Sequence, residues 1–156
     1  MSDPSPGAPP HIGRRAFVER SAGTLLGPPI ATLLAACASL VTRTVTPVNG
    51  TLRLALAHYP ELAETGGSLK VVPAGATEPI YVLALGDGGF AALSPICTHL
   101  GCTVEIQAAR LVCPCHGSTY ERDGRVVQGP AQRALARYRA ELGPDGVLVI
   151  HLGTRT

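Results

Sequence analysis

Cysteine and histidine recur together in two short segments of this 156-residue chain. The first segment, residues 97–102, has the order Cys-Thr-His-Leu-Gly-Cys, and the second, residues 113–118, has the order Cys-Pro-Cys-His-Gly-Ser. Thiolate sulfur and imidazole nitrogen are strong ligands for iron and zinc. The six side chains could therefore complete a metal site if the fold brings the two segments together.

Three simpler explanations compete with a cofactor site. Two disulfides could stabilise an exported domain, but they would leave both histidines without a role. A structural zinc ion takes four ligands, whereas the chain offers six at a spacing unlike that of common zinc fingers. A single reactive cysteine would be unusual among so many others. The histidine in each segment favours a metal centre.

The composition excludes several classes of protein. The chain has 18 glycines and 14 prolines, which argues against a helical bundle and for short elements joined by many turns. A hydrophobic share of 46% and a charged share of 15% exclude intrinsic disorder. A formal net charge of +2, with only four tyrosines and two phenylalanines, predicts no nucleic-acid partner.

Short segments of alternating or continuous apolar residues, bounded by glycine, proline, aspartate or asparagine, predict strands. The predicted strands are 51–58, 68–72, 80–85, 90–93, 103–107, 110–112, 125–127, 135–140 and 147–152. Residues 60–64 are the one short helix that the pattern allows. So many short strands predict an all-β sandwich or barrel.

The N-terminal segment has the charge asymmetry of an export signal, because Arg14-Arg15 precedes an uncharged run over residues 21–42. The Arg-Arg-x-Phe order resembles a twin-arginine signal, although three flanking residues depart from that pattern. As a helix the run would be about 33 Å long, enough for a bilayer core of about 30 Å. A Gly-Pro-Pro sequence within it disfavours a straight helix.

A second interpretation of this run starts from Cys37, which ends a Leu-Ala-Ala-Cys sequence that resembles a bacterial lipobox. A retained membrane helix and a lipid anchor at Cys37 both remain open. The predicted organisation is a signal and anchor over residues 1–42, a linker or hinge over 43–50 and an all-β domain over 51–156.

The two Cys/His segments closely resemble those of the Rieske iron–sulfur family, in its disulfide-bearing, quinol-oxidising branch. The resemblance covers roughly residues 52–152. It implies an antiparallel β sandwich or barrel with a small cluster-binding subdomain, whose cluster-binding loops are residues 95–103 and 113–121. The implied cofactor is a [2Fe–2S] cluster, in which two neutral imidazoles raise the potential above that of all-cysteine clusters.

The resemblance also implies a role for individual residues. The cluster ligands would be two cysteines on one iron and two histidines on the other, namely Cys97, Cys113, His99 and His116. A disulfide would join Cys102 and Cys115. The residues around the cluster would be the hydroxyl donors Ser118 and Tyr120, the quinone-contacting Leu100, the loop glycines Gly101 and Gly117, and Pro130 of a covering proline loop.

The function that the resemblance implies is one-electron transfer within a membrane complex, with no independent catalysis. The cluster would take an electron and a proton from membrane quinol and pass the electron to a c-type cytochrome, with cytochrome b as a further partner. The domain would lie on the periplasmic side of a bacterial cell envelope. Alternatives are a Rieske subunit of a periplasmic molybdenum oxidase of the arsenite-oxidase kind, a stand-alone Rieske carrier, a ferredoxin serving an oxygenase and a zinc module.

Three arginines outside the Cys/His segments, Arg133, Arg137 and Arg139, are predicted to share one face of a strand with Leu135. A solvated face explains them most simply, and docking to an acidic cytochrome is the alternative.

Overall fold

The computed structural model of the chain describes residues 40–107 and 109–156, and the strands in this part form two sheets. Two short 3-10 helices, Leu56–His58 and Pro60–Leu62, follow the second strand. The strands are β1 Thr42–Val45, β2 Thr51–Ala55, β3 Ser68–Pro73, β4 Ile80–Ala84, β5 Phe90–Leu93, β6 Glu105–Gln107, β7 Arg110–Val112, β8 Thr119–Glu121, β9 Val126–Gln128, β10 Arg137–Leu142 and β11 Val147–Arg155.

The larger sheet has seven strands in the order β1-β3-β4-β5-β10-β11-β2 and is nearly closed into a barrel. Its strand pairs are antiparallel except for β1 and β3, which are parallel. Alternate residues of the outer strands point inward, so Leu52 and Leu54 of β2 are fully buried while Arg53 between them is exposed. These inward side chains form the first hydrophobic core, which lies inside the barrel.

Strand β4 is buried at all five positions, because both faces of the sheet are covered there. Ile80 and Val82 belong to the first core inside the barrel. Tyr81 and Leu83 point the other way, into a second core that the smaller sheet covers. The alternation of one strand therefore supplies side chains to two separate cores.

The smaller sheet, in the order β6-β7-β8-β9, lies over this outer face. Its fully buried Leu111 and Tyr120 pack into the second core. Two polar contacts strengthen the attachment. The Tyr81 hydroxyl donates to the Val104 carbonyl at 3.0 Å, and Arg122 Nη2 donates to the Gly67 carbonyl at 2.6 Å. The smaller sheet is thus fixed to the barrel by apolar packing and by directed hydrogen bonds.

The all-β prediction is confirmed, and most predicted strands occur within a few residues of their expected bounds. One difference concerns the predicted linker, since residues 42–45 form strand β1 on β3. Two interactions hold this strand: the partly buried Val45 packs on the first core, and Arg43 pairs with Glu61 at 2.9 Å. Its β-branched threonines and valine favour an extended backbone although the segment is polar. A hinge in the predicted segment 43–50 would therefore have to lie in residues 46–50, which follow β1.

Two further differences follow from local contacts. Strand β8, which the sequence placed in a loop, pairs with both β7 and β9. Residues 56–58 leave the predicted strand 51–58 and form a 3-10 helix, where the Tyr59 amide donates to the Leu56 carbonyl at 2.9 Å. The predicted helix over 60–64 is a 3-10 helix over Pro60–Leu62.

The predicted signal and anchor fall almost entirely outside the described residues. Arg14-Arg15 and Cys37 both belong to residues 1–39, so the export signal and the lipid anchor stay predictions. Within residues 40–107 and 109–156, no helix has the length and apolar character needed to cross a bilayer.

Gly124 offers a test of how tightly the two sheets are packed. A Cβ added there would lie 3.1 Å from Leu93 Cδ2, and the residue has a φ of +92°. Gly88 has a φ of +78° but nothing within 4 Å of an added Cβ. We expect Gly124→Ala to lower the free energy of unfolding by about 1–3 kcal/mol more than Gly88→Ala, because only the first adds overpacking to backbone strain. Denaturant unfolding of both variants measures this difference, and equal losses would contradict it.

Candidate metal centre

The first Cys/His loop, residues 95–103, is closed by two backbone hydrogen bonds. The Cys97 amide donates to the Cys102 carbonyl at 2.8 Å, and the Gly101 amide donates to the Cys97 carbonyl at 2.9 Å. Gly101 takes a φ of +81°, a conformation that residues with a Cβ rarely adopt. The loop therefore turns tightly around its first cysteine.

The second loop, residues 113–121, repeats this arrangement. The Cys113 amide donates to the Ser118 carbonyl at 2.8 Å, and the Gly117 amide donates to the Cys113 carbonyl at 2.9 Å. Gly117 has a φ of +76°. Both glycines thus adopt the left-handed backbone conformation with which the loops turn. The two loops present their leading cysteines in equivalent backbone settings.

A disulfide between Cys102 and Cys115 joins the two loops, with a sulfur–sulfur distance of 2.05 Å. The pairing confirms the one implied by the family resemblance. Cys97 and Cys113 remain free thiols and are 2% and 1% exposed. Cys113 Sγ lies within 4.8 Å of both bridged sulfurs. Because a disulfide sulfur is not a thiolate, Cys97 and Cys113 are the thiol donors left for a metal.

The two histidines lie side by side at the end of the loops. The rings of His99 and His116 are 5.0 Å apart between centroids and meet edge to face at 89°. Nδ1 of His99 is buried and has no hydrogen-bond partner among the described residues. A buried polar atom without a partner is costly, and a metal ion would satisfy it. Two buried thiols and two adjacent imidazoles therefore fit the donor set of a His/Cys-ligated [2Fe–2S] cluster.

The Tyr120 hydroxyl is a hydrogen-bonding centre beneath the first loop. It is fully buried, lies 3.2 Å from Cys97 Sγ and accepts from the Thr98 amide at 3.3 Å. Thr98 Oγ1 lies 3.2 Å from the same hydroxyl and donates its own hydrogen to the Arg133 carbonyl at 2.6 Å. Because the Thr98 hydrogen is used in this way, the single Tyr120 proton has two acceptors within reach, Cys97 Sγ and Thr98 Oγ1. Sequence reasoning missed Thr98, whose position between a cysteine and a histidine of the same motif was the available signal.

The pKa values of this pair follow from their contacts. Burial favours the neutral Cys97 thiol, but hydrogen bonds from Tyr120, the His99 backbone, Cys113 and Ser118 outweigh it and lower the pKa of Cys97. Burial raises the pKa of Tyr120, and its hydrogen bond to Cys97 raises it further. These shifts move Cys97 toward the thiolate and Tyr120 toward the neutral phenol, the forms that a metal ligand and a hydrogen-bond donor require.

A third loop, residues 129–136, covers the site from the side. Ser118 is fully buried, and its hydroxyl accepts from the Ala131 amide at 3.0 Å. This bond fixes the segment that contains Pro130, which follows a cis peptide bond. Pro130 and His99 line a cleft of about 480 Å³, together with Thr98, Ala131, Gln132 and Arg133. Leu100 projects beside the histidines with 69% of its surface exposed.

Comparison with known proteins identifies related domains. The family model described as "Rieske [2Fe-2S] domain" matches residues 55–139. The chain is 41% identical over 83 residues to the cytochrome b6-f complex iron-sulfur subunit 2 of Synechocystis sp. (strain ATCC 27184 / PCC 6803 / Kazusa), which covers 51% of this chain and 46% of that subunit. The corresponding subunit of Prochlorococcus marinus (strain MIT 9515) is 45% identical over 76 residues, or 46% of this chain and 43% of that subunit. The chain spans about half the length of these curated relatives.

Solved structures add a likeness in fold. A chain of the oxygenase–ferredoxin complex of carbazole 1,9a-dioxygenase has 21% identity and a TM-score of 0.53, over 70% of this chain and 99% of that one. The plasma membrane Rieske protein PetC3 of Synechocystis PCC 6803 has 38% identity and a TM-score of 0.45, over 53% and 85%. The cytochrome b6-f relatives give no support to the molybdenum-oxidase alternative.

Tyr120→Phe tests the hydrogen bond to Cys97. Removing the hydroxyl withdraws a proton that stabilises negative charge at sulfur, so the midpoint potential of the cluster-loaded protein should fall by about 60 mV or more. Tyr81→Phe is the matched control, because its hydroxyl donates to the Val104 carbonyl in the same core and not to sulfur. A redox titration followed by EPR measures both. An unchanged potential in Tyr120→Phe, or an equal fall in Tyr81→Phe, would contradict this role.

Proposed function

Because the chain belongs to the Rieske [2Fe–2S] family, we propose that it is the electron-transfer subunit of a quinol:cytochrome c oxidoreductase of the cytochrome bc or b6-f type. The chain is a Rieske electron carrier with a [2Fe–2S] cofactor. The assignment to such a complex is supported by the combination of two buried thiols, two adjacent histidines and a disulfide between their loops.

The proposed ligands divide between the two irons as the family resemblance implies. Cys97 and Cys113 would bind one iron, and His99 and His116 would bind the other. The two pairs of ligands also differ in burial. Both cysteines are almost fully buried, whereas His99 is partly buried and His116 is exposed. When bound, the cluster supplies one reversibly exchanged electron per domain.

The exposed end of the site is suited to quinol. With Nδ1 of His99 directed inward, Nε2 of that ring is the atom left to accept a hydrogen bond and a proton from a quinol hydroxyl. The 69% exposed side chain of Leu100 provides an apolar surface for the quinol ring next to these histidines. Quinol oxidation releases electrons and protons together. At this exposed end of the site, the cluster would take the electron and Nε2 of His99 would take the proton.

The proposed partners are membrane quinol, cytochrome b and a c-type cytochrome, since the relatives are subunits of cytochrome b6-f complexes. The proposed location is the periplasmic side of a bacterial cell envelope, with attachment through residues 1–42. The disulfide supports an oxidising compartment, whereas iron–sulfur clusters are assembled in the cytosol. Export of a folded, loaded domain would satisfy both conditions, and the twin-arginine resemblance at Arg14-Arg15 fits such a route.

An EPR-monitored redox titration of the loaded protein at several pH values tests this function. We expect a one-electron midpoint potential above the range of plant-type ferredoxins, about −400 mV, because imidazole replaces thiolate on one iron. The midpoint should fall as pH rises, since electron uptake would be coupled to protonation of a ligand imidazole. A pH-independent midpoint would count against quinol as the donor, and zinc in place of iron would exclude the redox function.

A leucine substitution separates quinol contact from general stability. Leu100→Ala should raise the KM for a soluble quinol severalfold while the midpoint potential stays unchanged, because an apolar contact is lost without altering the metal ligands. Leu142→Ala is the matched control, as Leu142 is 46% exposed on strand β10, outside the cluster loops. Steady-state quinol oxidation with each variant assembled in its complex measures the effect. The same KM in both variants would contradict the proposed contact.

A further inference from the structure

The loops around the metal centre carry an unusual distribution of charge. Residues 95–104, 113–119 and 129–136 contain no aspartate and no glutamate. Their one permanently charged side chain is Arg133, which is exposed. Within these three loops, no acidic side chain offsets the positive charge of Arg133 for an incoming anion.

Arg133 also differs from the other arginines in its contacts. In the described part of the chain, no hydrogen bond or ion pair involves its guanidinium. Arg137, by contrast, donates to the Phe90 carbonyl at 3.3 Å, and Arg139 pairs with Glu141. The other arginines within residues 40–156 bind carboxylates or backbone oxygen: Arg43, Arg53, Arg110, Arg122, Arg125 and Arg155. Of the three arginines that the sequence placed on one strand face, Arg137 and Arg139 occupy alternate, exposed positions of β10, whereas Arg133 precedes that strand.

The backbone of Arg133 is fixed next to the histidine ligands. Its carbonyl accepts from Thr98 Oγ1 at 2.6 Å, and Thr98 directly precedes His99. Arg133 lines the cleft of about 480 Å³ with His99 and Pro130. It also lines a second cleft of about 420 Å³ with Thr98, Ala134, Ala136 and Thr156. The backbone of Arg133 is thus fixed beside the cleft that His99 lines, and its side chain is exposed there.

We propose that Arg133 is a docking residue that binds a carboxylate on the surface of the protein that accepts the electron. The carboxylate would enter the cleft between His99 and residues 130–133, and this inference rests on the proposed electron-transfer function. Guanidinium binds carboxylate through two parallel hydrogen bonds, which fixes orientation as well as distance. Charge at the rim of such a contact accelerates association and makes it sensitive to salt.

The docked step transfers a single electron. This electron leaves the reduced protein and converts one ferric haem of the partner to ferrous haem. No atom is transferred, and no covalent bond forms or breaks. Arg133 contributes only to encounter and orientation, so its removal should alter the rate of the bimolecular reaction and leave the midpoint potential unchanged.

Stopped-flow oxidation of the reduced, cluster-loaded protein tests the proposal with two c-type cytochromes, one with an acidic docking face and one with a basic face. At low ionic strength, Arg133→Gln should slow oxidation by the acidic cytochrome about three- to tenfold and should not slow oxidation by the basic one. Arg133→Lys should restore most of the rate. The loss should diminish as salt screens the interaction.

Arg53→Gln is the control for net charge. Arg53 lies on β2, its side chain is 56% exposed, and its ion pair with Asp145 is long at 3.9 Å. This variant removes the same formal charge outside the cluster loops, so the acidic cytochrome should react at nearly the wild-type rate. An equal loss in both variants would overturn the proposal, as would an unchanged rate in Arg133→Gln. A changed midpoint potential in Arg133→Gln would assign the residue to the metal centre instead.

Small oxidants separate this proposal from the proposed function. Cobalt(III)–EDTA is an anionic carboxylate complex, whereas tris(phenanthroline)cobalt(III) is a cation, and each takes one electron to form cobalt(II). Arg133→Gln should lower the rate with the anion relative to the cation. If this preference depends on Arg133 while neither cytochrome oxidises the wild-type protein, carboxylate docking is supported and the c-type cytochrome acceptor is wrong. If the wild-type protein and Arg133→Gln show the same ratio of rates with the anionic and the cationic cobalt complex, the docking role of Arg133 is wrong.

Discussion

The second hydrophobic core is the feature on which the rest of the molecule depends, because the proposed thiol ligands are part of its packing. Cys97, Cys113 and Tyr120 are buried in this core together with the outward side chains of β4 and β5. The thiols therefore have positions set by close packing, which resists displacement far more strongly than a surface loop would. The same burial that fixes the sulfurs disfavours their negative charge, and hydrogen bonds from neighbouring groups offset that cost.

The two Cys/His loops show how one backbone design can serve two purposes. Each loop closes on its leading cysteine with the same pair of hydrogen bonds. At the sixth position, however, the first loop has Cys102 and the second has Ser118. Cys102 forms a covalent bond to the other loop, whereas the Ser118 hydroxyl binds the amide of Ala131 in the third loop. Equivalent scaffolds thus attach to different neighbours, and the site is held from three sides.

Much of the fold and the site could be predicted from sequence, since the signals were local. The strands followed from short apolar alternation, and the proposed donor residues come from two Cys/His motifs whose loops the structure brings together. Strand β1 could not be predicted, because its pairing with β3 depends on residues far apart in the chain. The hydrogen bonds of Thr98 with Tyr120 and with the Arg133 carbonyl, and that of Arg137 with Phe90, were equally inaccessible. These partners lie about 20 to 50 residues apart in the chain, and only the folded chain brings them into contact.

Strand β1 has a consequence for how the domain would respond to mechanical load. This strand lies at an edge of the sheet and pairs with β3 in parallel. Tension applied through the preceding part of the chain would reach the domain at Thr42, the first residue of the strand. A pull along the strand axis loads the hydrogen bonds between β1 and β3 together in shear, whereas a pull across the sheet breaks them one after another from Thr42. The edge strand would therefore resist tension in one direction and peel away in the other, making the domain's resistance to force directional.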